Sequence, residues 1–219
     1  LQEYCALANK LVGLENMDIQ AVIRLYRPSS PSVVLDSASF RLRKNRDVFR
    51  VKYPGNIEYI CGNGFILIVD HGERTMTYDR FDPARFGSHP GLELVMPLEN
   101  IDSILGSRGC TAEIVSRQGD NTTLRVNMNR AGEFVRAEFD YQGSMQVQRM
   151  RLYKWEYVEE HASSPELVCL EYNYIRFDTH PVFAPSTFTT EDFLVATNSK
   201  LSPRAPYNTY RFHNLTASN

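Results

Sequence analysis

The stretch Val48-Phe49-Arg50-Val51-Lys52-Tyr53-Pro54-Gly55, followed by Gly62-Asn63-Gly64-Phe65-Ile66-Leu67-Ile68-Val69-Asp70, decides how this chain is read. In the first segment Phe49, Val51 and Tyr53 alternate with Val48, Arg50 and Lys52. A period of two places one set on each face of a strand. Pro54-Gly55 stops the strand, because proline cannot donate to the ladder and glycine accepts turn geometry. The second segment is apolar from Phe65 to Val69, the pattern of a strand covered on both faces. Glu58 to Cys61 resumes extended structure, and Gly62-Asn63-Gly64 before the apolar run and Asp70-His71-Gly72-Glu73 after it are tight turns.

The same grammar extends in both directions. Ile19, Ala21, Ile23 and Leu25 alternate with Asp18, Gln20, Val22 and Arg24. Ala38, Phe40 and Leu42 alternate with Ser39, Arg41 and Arg43, and the polar run 44–47 closes a hairpin onto Phe49. Thr75 to Tyr78 continues the meander. Further strands are expected over 111–116, 122–128, 134–141, 145–157 and 167–177, separated by turn-forming residues. The 12 Tyr and 12 Phe fit strands, where large rings pack on a pleated surface.

Helices are expected at three places. Tyr4, Leu7, Leu11 and Leu14 fall at helical spacing over 1–14. Leu98 to Leu105 reads as a short helix ended by Gly106, after a long irregular segment 79–96. Thr189 and Asp192 are spaced as a capping box that opens another. No linker or repeat divides the 219 residues, so one domain over 1–219 is expected, with 165–219 as a possible C-terminal elaboration.

Hydrophobic residues make up 42% of the chain, enough to build a core. The 24 basic and 26 acidic residues leave a net charge of −2. That balance argues against a nucleic-acid partner held by phosphate neutralisation. No apolar run approaches the roughly 20 residues of a membrane-spanning helix, so no transmembrane segment is expected. The chain begins at Leu1 rather than Met, and removal of an export signal is the expectation drawn from this. Cys5, Cys61, Cys110 and Cys169 are widely spaced, which leaves free buried thiols and disulfides both open. His71, His89, His161, His180 and His213 form no HxH or HExxH pattern, and there is no GxSxG, P-loop or GxGxxG. Neither a metal nor a cofactor is expected, and no catalytic residue is assigned. Asp79 and Asp82 read as turn residues rather than an acid–base pair.

The order of these segments resembles the LolA-type lipoprotein carriers of the bacterial periplasm. The resemblance rests on Phe49-Arg50-Val51-Lys52-Tyr53-Pro54, on the strand ending Asp70-His71-Gly72, and on Thr77-Tyr78-Asp79. The later strands around Thr123-Leu124-Arg125-Val126 and 132–140 extend it, so that it covers roughly residues 1–160. It implies a mainly β protein with helices (an α+β class), built as an antiparallel incomplete β-barrel covered by short helices. It also implies a periplasmic, non-enzymatic carrier that binds acyl chains of lipoproteins or lipids in a hydrophobic groove and moves them toward the outer membrane. Its partners would be an inner-membrane donor and an outer-membrane acceptor. The alternative is a non-catalytic envelope binding or scaffold module for another apolar ligand or a protein.

An acyl chain needs a dry, apolar surface, since about 0.8 kcal/mol is gained per buried CH₂. The candidate lining is Ile19, Ile23, Leu25, Phe40, Leu42, Phe49, Val51, Phe65, Leu67, Val69 and Tyr78, each of which also fits an ordinary core. Leu7 and Leu11 are the candidate lid contacts. In the resembling family an arginine ahead of the Phe-Arg strand holds the lid, and Arg43 and Arg46 are both candidates for that part. The group Arg41, Arg43, Lys44, Arg46, Arg50 and Lys52 is basic, either a docking patch or a solvated edge.

Overall fold

The computed structural model describes residues 2, 6, 13–62, 64–81, 111–128, 134–143, 146–159, 163–198 and 200–218. Eleven strands follow the expected order: β1 Asn16–Tyr26, β2 Val34–Asn45, β3 Val48–Tyr53, β4 Ile57–Gly62, β5 Phe65–Asp70, β6 Thr75–Arg80, β7 Thr111–Gln118, β8 Asn121–Asn127, β9 Phe134–Gln142, β10 Val147–Glu156 and β11 Glu166–Asp178. Three short strands come after them: β12 Leu194–Thr197, β13 Lys200–Pro203 and β14 Arg211–Asn214. Twelve strands form one sheet in the order β14-β6-β5-β4-β3-β2-β1-β11-β10-β9-β8-β7, and β12 and β13 pair with each other. The strand pairs described below are antiparallel except β14, which runs parallel to β6.

This corrects the expected fold class. The described residues form no α-helix element, only 3-10 turns at Pro185–Phe188, Tyr207–Thr209 and Leu215–Ser218. The protein is therefore a β structure, one large and mostly antiparallel sheet, rather than an α+β barrel covered by helices. The reason is visible at Thr189–Asp192, where the capping pattern predicts a helix. Phe193, Leu194, Val195 and Thr197 follow it, and the aromatic and β-branched residues among them favour strand. The same segment is hemmed in by Pro181, Pro185, Pro203 and Pro206, which interrupt helical hydrogen bonding. It forms a hairpin instead, with Asn198 at φ 48 in its turn. The helices expected over 1–14 and 98–105 lie outside the described residues, apart from Gln2 and Ala6, which are helical, and Gly13 and Leu14, which are not.

The chain falls into two compact units. Unit 1 comprises 1–14, 20–39 and 93–177, and unit 2 comprises 15–19, 40–92 and 178–219.

In unit 1 one face of β8–β11 is apolar and buried. It carries Leu124, Val126, Ala137, Phe139, Met150, Leu152 and Val168, none more than 1% exposed. The other face is a lattice of charge. Glu113 pairs with Arg125, Arg125 with Glu138, Glu138 with Arg151, and Arg151 with Glu171, each directly across from the next. Arg125 Nε donates to Glu138 at 2.9 Å, and Arg151 lies 3.3 Å from the same carboxylate. Arg149 Nε donates to Asp140 at 2.7 Å. Tyr153 donates to Glu138 at 3.1 Å while its ring carries the Arg136 guanidinium 3.7 Å from the centroid. Beside it Tyr26, Tyr153 and Cys169 form a buried cluster.

Candidate functional site

In unit 2 the register decides which side chains share a face. Directly paired residues of neighbouring strands point the same way. Leu42 pairs with Val51, Val51 with Tyr59, Tyr59 with Ile68, and Ile68 with Thr77. Arg43 pairs with Arg50, Arg50 with Ile60, Ile60 with Leu67, and Leu67 with Tyr78. These are two opposite faces of one sheet. The expected lipid lining is thereby divided. Phe40, Leu42, Phe49 and Val51 lie on the first face, and Phe65, Leu67, Val69 and Tyr78 on the second.

The first face is apolar. Phe40 is 1% exposed, Leu42 and Val51 0%, and Phe49 5%. Cys61 pairs with Phe49 and Ile66 with Cys61, so the face continues across β4 and β5 with residues the sequence pattern does not single out. Ile19, fully buried, belongs to it as well. Its strand neighbour Asp18 reaches Arg41 on the charged side of β2, so Ile19 takes the side of Phe40 and Leu42. Phe81 packs edge-on against Phe49, with ring centroids 6.1 Å apart. Burial pushes the Cys61 thiol up to about 12. Ile23, 7% exposed, and the half-buried Leu25 lie in unit 1, on the face of β1 opposite Tyr26.

The second face is covered by the chain's own C-terminal segment. Phe193 and Leu194 are buried against Ile60, Leu67, Val69 and Met76. Phe65, Tyr78, Leu201, Tyr207, Tyr210 and Phe212 pack around that cluster. Phe65 stacks on Tyr78 at 5.8 Å and lies over Gly62, directly opposite it, where any side chain would meet the ring. An ionic clamp pins the segment. Arg50 Nε donates to the buried Glu58 at 2.6 Å, and its Nη1 donates to Asp192 at 2.9 Å. The same guanidinium sits 5.4 Å from the Phe193 ring centroid. His71 Nδ1 meets Tyr210 Oη at 3.1 Å, and its Nε2 lies 3.8 Å from Glu58. β14 completes the cover by pairing along β6. Proline spacing and scattered aromatics are the signals in the tail, but neither says which surface it meets.

Arg43 and Arg46, expected as alternatives for one role, sit in different surroundings. Arg46 stands at the β2–β3 turn with φ 53, its side chain 77% exposed and 4.0 Å from Glu15. Arg43 lies within the charged face of β2, and its Nε is buried. Leu7 and Leu11 lie outside the described residues, as do Cys5 and Cys110. Cys61 and Cys169 are free and buried. Among the described residues no three His, Cys, Asp or Glu side chains are grouped to hold a metal ion, and no helix is long and apolar enough to cross a membrane.

No protein-family model matches the chain, and no curated protein matches it. Among solved structures it is similar to an uncharacterized conserved protein from Thermus thermophilus. That likeness has 11% identity, covers 97% of this chain and 98% of the other, and has a TM-score of 0.46. It is also similar to a DUF1329 family protein from Desulfovibrio piger, at 9% identity, covering 87% of this chain and 98% of the other, with a TM-score of 0.36. At such scores neither likeness carries an argument.

Proposed function

We propose that this protein is a non-catalytic binding protein of the bacterial envelope that carries an acyl chain, or a ligand of similar apolarity, against the apolar face of β2–β5. The observation behind this reading is the composition of that face. Ile19, Phe40, Leu42, Phe49, Val51, Cys61 and Ile66 make it apolar, and each is at most 5% exposed, so an acyl chain reaches them only by displacing the cover they already have. A myristate-sized chain on such a surface gains about 10 kcal/mol of transfer free energy before ordering costs. The envelope location and the carrier role come from the resemblance to the LolA-type family.

The division of the predicted lining makes the reading testable. Organic extraction of purified protein followed by mass spectrometry should release lipid. In displacement of a fluorescent fatty acid, Phe49→Ala and Leu42→Ala should lower affinity severalfold. Leu67→Ala, on the tail-covered face, should leave the affinity of the folded protein unchanged. No extractable lipid together with no displacement, or equal losses from both faces, would rule the proposal out.

A further inference from the structure

The charged face of unit 2 is out of balance. Arg41 is directly paired with Lys52 and Arg43 with Arg50, so four cations occupy adjoining positions on two strands. Like charges directly opposite repel unless each finds an anion. Three of them do. Arg41 donates through Nε and Nη2 to both oxygens of Asp18, at 2.9 and 2.8 Å. Arg50 is held by Glu58 and Asp192, and Lys52 lies 3.7 Å from Glu58. Arg43 pairs with no carboxylate among the described residues, and its buried Nε has no hydrogen-bond partner. Burial, with Arg41 and Arg50 nearby, lowers its proton affinity from the ordinary guanidinium value, and the more distant carboxylates of Asp18 and Glu58 offset this only in part. Arg136 and Arg151 in unit 1 also leave Nε unpartnered, but each has Glu138 beside it.

A second orphan lies on the same side. Asp18 reaches Arg41, so the even-numbered residues at the start of β1 face the charged side. Asn16 is one of them, and its Oδ1 is buried without a hydrogen-bond partner. Arg46 N–H donates to the Glu15 carbonyl at 2.7 Å, which sets the start of β1 beside the end of β2, so this end of the face holds an unmet donor on a cation and an unmet acceptor on a neutral amide. Leaving either buried and unpaired costs stability.

We propose that Arg43 and Asn16, flanked by Arg41, anchor a binding site for a phosphate group, carried either by free phosphate or by a lipid headgroup. A guanidinium fork matches two phosphate oxygens. A phosphate protonated on one oxygen, or a headgroup bearing a hydroxyl, also supplies the donor that Asn16 Oδ1 lacks, which a carboxylate does not. Arg43 as a whole remains partly exposed, so it can be reached from solvent. The site lies on the face of β2 opposite Phe40 and Leu42, so it stands or falls independently of the acyl-binding reading.

The test uses the full chain, with sodium phosphate compared against sodium chloride at equal ionic strength. Phosphate should raise the Tm of the wild type by about 3–5 °C at a tenfold excess over Kd, and calorimetric titration should show saturable binding. Arg43→Gln should abolish both responses, and should melt above the wild type in phosphate-free buffer because the uncompensated charge is gone. Asn16→Ala should weaken binding, and Arg43→Lys should retain part of it. Arg149→Gln, in the unit 1 lattice, should leave the phosphate response intact. Monomeric dihexanoyl phosphatidic acid distinguishes the sources. Binding tighter than inorganic phosphate assigns the site to a headgroup, and weaker binding assigns it to free phosphate. A wild type with no phosphate-specific shift at concentrations of about 50 mM, or an Arg43→Gln variant that responds like the wild type, overturns the proposal.

Discussion

Unit 1 and unit 2 each carry a densely charged sheet face, and the two are built differently. Across β7–β11 opposite signs are directly paired: Glu113 with Arg125, Arg125 with Glu138, Glu138 with Arg151, and Arg151 with Glu171. Each cation finds its anion on the neighbouring strand. Across β2–β3 like signs are directly paired, Arg41 with Lys52 and Arg43 with Arg50. Neutralisation there comes from other elements: Asp18 on β1, Glu58 on β4, and Asp192 in the tail. An alternating lattice is self-sufficient. A like-charge ladder is tied to whatever supplies its anions, and this one ties the C-terminal segment to the sheet.

The largest expected effect tests the lattice. Glu138 is 6% exposed and holds Arg125, Arg151 and Tyr153. Glu138→Ala takes the shared buried carboxylate from Arg125, Arg151 and Tyr153 together, and should cost about 3–5 kcal/mol in urea unfolding. A loss below about 1 kcal/mol would show that alternation is not what stabilises that face. Glu58→Ala should cost somewhat less, about 2–4 kcal/mol, because it takes the close carboxylate from one guanidinium, Arg50, rather than from two and a buried tyrosine. It should also open the tail to limited proteolysis between Asp178 and Tyr210, an effect Glu138→Ala should not have.

The sharpest contrast comes from one substitution made in both units. Arg151→Gln should lower stability by about 1.5–3 kcal/mol, the usual size for a lost charged hydrogen bond. Arg43→Gln should raise it in phosphate-free buffer. The same sign in both places would remove the distinction between the two faces.

The remaining effect is alkaline and present in both units. Burial pushes the thiol of Cys61 from its ordinary 9.0 to about 12, and the phenol of Tyr153 from 10.0 to about 12. Below pH 9 folded and unfolded chains both keep these protons, so stability is unaffected. Above it the unfolded chain ionises first, and stability falls until the native groups titrate near pH 12. Chemical denaturation at steps from pH 8 to pH 11 should show this decline, and Cys61→Ala should flatten it.

Much of the fold was legible in the sequence. Alternation, the continuous apolar run of β5 and the turn residues between segments placed the eleven strands up to β11, because a period of two survives wherever one face is buried and turn chemistry marks where it stops. The three tail strands were not legible, since four-residue segments between prolines carry too little pattern. The candidate site was half legible. Phe40, Leu42, Phe49 and Val51 do share a face, but Phe65, Leu67, Val69 and Tyr78 lie on the other. Cys61 and Ile66 share the face with the first four, yet nothing in their local pattern marks them out.

Sequence alone therefore determined where strands run and which residues of a single strand face together. Only the tertiary structure decided how the faces of successive strands join, since a shift of one residue in a turn exchanges every side chain between faces. It also decided what Arg43 lacks and what Arg50 holds. Arg50 and Asp192 are 142 positions apart, and no local pattern links charges that meet only after the chain has folded back on itself.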